Sequence, residues 1–89
     1  MTQVIALAKL KGWKTFHPHF SRFSTAGFPD LLMVKRPRII VCELKRETRS
    51  KVEQAQLDWL AEFRACGIPA YLWRPSMWSE IEAVLSEGG

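Results

Sequence analysis

Residues 27–45 read GFPDLLMVKRPRIIVCELK, and the way this stretch folds decides the rest of the chain. Two apolar runs, 31–34 and 39–44, flank the basic turn Lys35-Arg36-Pro37-Arg38. Each run is too short and too rich in β-branched residues for a helix, so the pair reads as the two strands of a hairpin. If Val34 and Ile39 close the turn, paired positions sum to 73 and Asp30 falls opposite Glu43. Cross-strand partners share a face, with Cβ atoms about 4.5–5.5 Å apart. Lys45 lies two residues beyond Glu43, and the period of two along a strand puts it on that same face.

Three charged groups on one face at the open end of a hairpin make poor core. Two carboxylates at that separation repel, and one pKa rises unless a cation sits between them. Hard oxygen donors of this kind suit Mg²⁺ or Mn²⁺. Such an ion polarises a phosphoryl oxygen and helps to activate water, while a lysine positions that water or stabilises charge in the transition state. The pattern therefore predicts metal-assisted phosphodiester hydrolysis.

Pro29-Asp30 followed by Glu43-Leu44-Lys45 resembles the PD-(D/E)xK nuclease signature. Gly12-Trp13, Ser21-Arg22, GFPDLLMV, VCELK, QLDWL and YLWRPSMW together resemble the VRR-NUC (virus-type replication-repair nuclease) domain, over nearly the whole chain. A lone PD with ExK is a weak pattern; the combination in this order and spacing is specific. The resemblance implies a restriction-endonuclease-like core with Asp30, Glu43 and the Leu44 carbonyl on the metal. It also implies a catalytic role for Lys45, and that the QLDWL segment around Gln56 belongs to the site. Its stand-alone members imply a homodimer acting on branched DNA such as four-way (Holliday) junctions, in a bacterium, archaeon or phage-infected cell. They also imply a further acidic residue on the first helix, ahead of the run matching Val4 to Leu10, yet residues 1–26 contain no Asp or Glu. Either that acid lies upstream of residue 1 and this chain is the weaker for lacking it, or Asp30, Glu43 and the Leu44 carbonyl hold the ion alone.

Composition agrees without deciding. Eighty-nine residues make one small domain, residues 1–89, of a size that often leans on oligomerisation. Thirteen basic against nine acidic residues, with a pI of about 9.4, suit a polyanionic partner, although a net +4 is common elsewhere. The placement says more: Lys35, Arg36 and Arg38 cluster in the turn, and Lys45, Arg46, Arg49 and Lys51 follow the acidic pair. Cys42 and Cys66 form neither a metal spacing nor a disulfide framework. With no membrane-length apolar run and no signal-peptide pattern, the expectation is a reduced, cytoplasmic protein.

The remaining elements follow from periodicity. Residues 2–11 read as a helix stopped by Gly12, 13–17 as a strand broken by Pro18, and 18–27 as a loop. In that loop, Ser21 and Arg22 are candidate phosphate contacts, alongside Lys35, Arg36 and Arg46 elsewhere. His17 and His19 read first as hydrogen-bonded structural residues. Ser50 with Glu53 forms a capping box, predicting a helix from Lys51 to about Cys66 with Val52, Ala55, Trp59, Leu60 and Phe63 on its apolar face. Gln56 falls in the middle of that face and needs a partner. Either it reaches toward the site, to a water on the ion, Lys45 or a phosphate oxygen, or it caps nearby backbone. Residues 68–74 read as a strand and 77–85 as a last helix. The order αβββαβα predicts an α/β fold with a mixed sheet of about four strands and flanking helices. The rival expectation is a non-catalytic nucleic-acid-binding module on a degenerate nuclease fold.

Overall fold

The structure is a computed structural model that describes residues 2–18, 26–48 and 51–87. The expectations for Ser21, Arg22, His19, Arg49 and Ser50 lie outside the described residues. The described elements are α1 (Thr2–Leu10), β1 (Lys14–Phe16), β2 (Leu31–Lys35), β3 (Arg38–Leu44), α2 (Gln54–Ala65), β4 (Ala70–Trp73), a 3-10 turn (Pro75–Met77) and α3 (Trp78–Ser86). They build one four-stranded sheet in the order β1-β2-β3-β4. The first three strands are antiparallel and β4 joins β3 in parallel. Return through α2 permits that parallel pairing, as the element order predicted.

The hairpin closes in the expected register. Val34 pairs Ile39 and Leu31 pairs Cys42. Period-two alternation sends β2 and β3 side chains to opposite faces. On one face Leu31, Met33, Ile40, Cys42 and Trp73 pack against Val4 and Ala8 of α1 and Ile81 and Leu85 of α3. On the other, Val41 and Ala70 pack against Leu60 of α2, with Leu32, Phe63 and Leu72 at the margin. Trp13 is buried beside the first core, and its indole N–H donates to the Leu85 carbonyl at 2.9 Å.

Helix α2 starts later than the Ser50–Glu53 reading predicted. Its cap is Glu53, in a capping box with Gln56. Two candidate boxes overlap in the sequence, and the one whose glutamine also makes a tertiary bond is used. Trp59, expected in the core, is half-buried in an aromatic cluster with Phe28 and Phe63 at centroid distances of 5.1 and 5.8 Å. Arg64 anchors the other end of α2 to the Ala70 carbonyl, at 3.0 Å through Nε and 2.7 Å through Nη2. Among the described residues no helix is long and apolar enough to cross a membrane.

Candidate active site

The antiparallel ladder ends at the Leu31–Cys42 pair, and beyond it side-chain carboxylates take over as acceptors. The Asp30 N–H donates to Glu43 Oε1 at 3.1 Å, and the Leu44 N–H donates to Asp30 Oδ2 at 2.8 Å. This reciprocal clasp places the two acids together across the open end of the hairpin. The segment leading into it is wedged against α2: a Cβ on Gly27 would lie 2.6 Å from the Ala55 carbonyl carbon, and Gly27 has φ +84°. Only a residue without a side chain brings the backbone this close at positive φ.

Gln56, one residue on, caps the helix backbone, one of the two alternatives in the sequence, and also bonds Glu43, which was not among the partners expected for it. Its Oε1 accepts the Glu53 N–H at 2.9 Å, completing the cap, while its Nε2 donates to Glu43 Oε2. Lys45 Nζ lies 3.6 Å from that same oxygen and donates to the Lys51 carbonyl at 3.0 Å. Its side chain is 13% exposed and that of Glu43 5%, so this ion pair is far less screened than a surface one. His17 Nδ1 lies 2.8 Å from the Asp30 carbonyl, the position of an N–H donor to it. Sequence alone placed His17 at a strand end without showing what it holds.

Burial raises the Glu43 carboxyl to a pKa of about 7, and the charge of Asp30 adds to the rise; the Lys45 ammonium and the Asp30 N–H oppose it. An acid poised near neutrality beside a second carboxylate favours any cation that can replace its proton. On the opposite face, burial pushes the Cys42 thiol upward, with the charges of Asp30 and Glu43 contributing. Cys42, fully buried, is therefore an inert core residue.

The predicted basic contacts are dispersed. Lys35 and Arg36 sit at the closed end of the hairpin, about 17 Å from Asp30 by strand rise. Arg38 turns away from solvent: its guanidinium lies 4.9 Å from the Trp13 ring centroid and donates to the Val84 and Glu87 carbonyls at 3.2 and 2.7 Å. Arg46 lies at the acidic end, where its carbonyl accepts a bond from Arg74 Nη1.

One solved structure, described as "VRR_NUC domain", superposes with a TM-score of 0.69, covering 99% of this chain and 96% of its own at 22% identity. The fold is that of a VRR_NUC domain. No family model matches the sequence, and the comparison with curated proteins found no match. The VRR_NUC fold thus corroborates the restriction-endonuclease-like architecture expected from the motif order.

The donor set fits a divalent ion in kind: two carboxylates in mutual contact through backbone N–H groups, one of them held near neutrality. The Leu44 N–H points toward Asp30, and in a strand a residue's N–H and C=O face the same neighbour. The Leu44 carbonyl therefore lies on the Asp30 side of β3. Among the described residues no group of three or more His, Cys, Asp or Glu side chains could hold a metal, so a site here rests on two carboxylates and backbone.

Proposed function

We propose that this protein is a Mg²⁺- or Mn²⁺-dependent nuclease that hydrolyses phosphodiester bonds in DNA, with Asp30, Glu43 and Lys45 at its centre. The observation that carries the proposal is the clasp at the open end of the hairpin, with Lys45 3.6 Å from Glu43. Asp30, Glu43 and the Leu44 carbonyl would hold the ion. When bound, it supplies Lewis-acid polarisation of the phosphoryl oxygen and lowers the pKa of water. Gln56 keeps the Glu43 carboxylate in one orientation through a donor fixed by its own helix cap. Lys45, restrained by the Lys51 carbonyl, faces the developing negative charge and stabilises it. His17 steadies the Asp30 backbone from the far side.

Branched DNA, four-way junctions among them, as the substrate and a homodimer as the acting form are proposed from the resemblance of the sequence motifs alone. Arg46 beside the acids, with Lys35 and Arg36 some way off, fits a broad phosphate contact; Arg22 and Ser21 are proposed for the same role from sequence. The test is a nicking assay on linear, flapped and four-way DNA with Mg²⁺ or EDTA. Asp30→Asn and Lys45→Ala should each lower the rate by at least 100-fold. Metal-dependent cutting that survives both substitutions would reject the assignment.

A second reading draws on the two-carboxylate donor set: a binding module of the same fold that cuts nothing. Titration calorimetry separates the two. The module predicts no Mg²⁺ or Mn²⁺ heat dependent on Asp30 and Glu43, with salt-sensitive DNA binding retained.

A further inference from the structure

Among the described residues, the large apolar side chains left most open are Leu10, Phe16, Val34 and Leu57. Two of them share half of a sheet face. Phe16 pairs Leu32 and Lys14 pairs Val34 along the sheet edge, and period-two alternation puts all four on the face that carries Val41. Helix α2 covers the β3 and β4 half of that face, through Leu60 on Val41 and Ala70. Over β1 and β2, Phe16 stays 60% exposed and Val34 37% exposed, with the exposed Lys14 beside them.

We propose that this open half-face receives α2 of a second copy of the chain, with the Phe16 of each copy seated against the Trp59 of the other. The proposal deepens the homodimer of the nuclease reading by assigning its faces, and it is argued from the surface itself. Three observations support it. The first is shape. A depression of about 140 Å³ on α2 is lined by Asp58, Trp59 and Glu62. Trp59 is half-buried and already meets Phe28 edge to face at 5.1 Å. One more ring extends an aromatic cluster of the kind that favours offset and edge-to-face contacts.

The second observation is charge. Lys14 lies two residues before Phe16 on the same face, while exposed Asp58 and Glu62 flank the depression. Asp58 accepts from Gln54 Nε2 at 2.8 Å; Lys14 and Glu62 have no partner among the described residues. A second copy therefore brings an unpaired cation to an unpaired anion. DNA is the poorer occupant, because the same two carboxylates repel phosphate.

The third is height along the strands. Phe16 pairs Leu32, Leu32 pairs Val41, and Leu60 packs on Val41. Phe16 and Trp59, the neighbour of Leu60, thus stand at one level. A two-fold axis parallel to the strands preserves level, so it carries each Phe16 to the other copy's Trp59 and makes the contact self-complementary. The same axis leaves both open hairpin ends pointing one way. The dimer then presents two Asp30–Glu43 clasps on one side, which suits a substrate with two scissile phosphates.

The test is sedimentation equilibrium of the full chain without DNA or metal. The unsubstituted chain should be a dimer. Phe16→Glu, at an exposed position and checked for an unchanged fold by circular dichroism, should raise the dimer Kd at least about 30-fold, as expected for a central aromatic anchor. Lys14→Glu and Glu62→Lys should each raise it about 2- to 30-fold at low salt, since each acts at two symmetric pairs. The chain carrying both exchanges should return to within about threefold of the original, because the pairs are restored with reversed sign. A chain that stays monomeric up to its solubility limit would overturn the proposal. So would a dimer indifferent to Phe16→Glu, a double exchange weaker than either single one, or a monomer whose DNA affinity falls with Phe16→Glu. A dimer that cuts no DNA would reject the nuclease reading and keep the interface, whereas Mg²⁺-dependent cutting by a monomer would do the reverse.

Discussion

Asp30→Asn is expected to stabilise the protein at neutral pH while inactivating it. Asparagine keeps an oxygen that can accept the Leu44 N–H, so the clasp that Asp30 forms at 2.8 Å survives the change. What disappears is a negative charge beside a buried acid. The Glu43 pKa rises from 4.5 to about 7, with burial the larger cause and Asp30 the second. Because the folded value is the higher one, the native protein keeps a proton that the unfolded chain releases between pH 4.5 and 7. Stability therefore falls as pH rises through that window and is level above it. At about 1.4 kcal/mol per pKa unit, the full penalty is on the order of 3 kcal/mol. Removing the charge of Asp30 recovers part of this, on the order of 1 kcal/mol, which raises Tm by about 4–8 °C in a domain of this size. The assay is thermal unfolding at pH 5 and pH 8 in EDTA: the gain should be present at pH 8 and absent at pH 5. Mg²⁺ at about ten times its Kd should stabilise the unsubstituted protein by about 1.4 kcal/mol and so close the gap, leaving Asp30→Asn unmoved. A variant less stable than its parent at pH 8, or one that follows the parent at every pH, would refute the reasoning.

Other substitutions separate scaffold from chemistry. Gln56→Ala removes the acceptor for the Glu53 N–H and the donor to Glu43; urea unfolding should record a loss of about 2–4 kcal/mol, with a fall in cleavage besides. Gly27→Ala places a methyl against the Ala55 backbone at a positive φ; a loss of about 2–4 kcal/mol is expected, and a change below 0.5 kcal/mol would contradict the close approach. Arg38→Met releases the carbonyls of Val84 and Glu87 and the contact with Trp13. It should cost about 1–3 kcal/mol in thermal unfolding and leave the cleavage rate of the folded enzyme unchanged, since Arg38 sits at the opposite end of the hairpin from the acids.

The hairpin was legible in the sequence because its information is local. A short basic turn and two alternating runs allow one register that buries Leu31, Met33, Ile40 and Cys42 together, and that register carries Asp30 to Glu43. The same locality misplaced the start of α2. Ser50 and Glu53 satisfy one capping box and Glu53 and Gln56 another, and the choice depends on Glu43, thirteen residues before Gln56. Arg38 was grouped with Lys35 and Arg36 as turn charge. Its real partners, Val84 and Glu87, are 46 and 49 residues away, beyond any periodicity argument.

The most direct measurement is the anomalous difference map of a crystal soaked in Mn²⁺. A peak between the carboxylates of Asp30 and Glu43, on the side of the Leu44 carbonyl, is the predicted result. Full Mn²⁺ occupancy elsewhere on the protein, or an unchanged clasp with no peak at saturating Mn²⁺, would contradict a hydrolytic centre built on this pair.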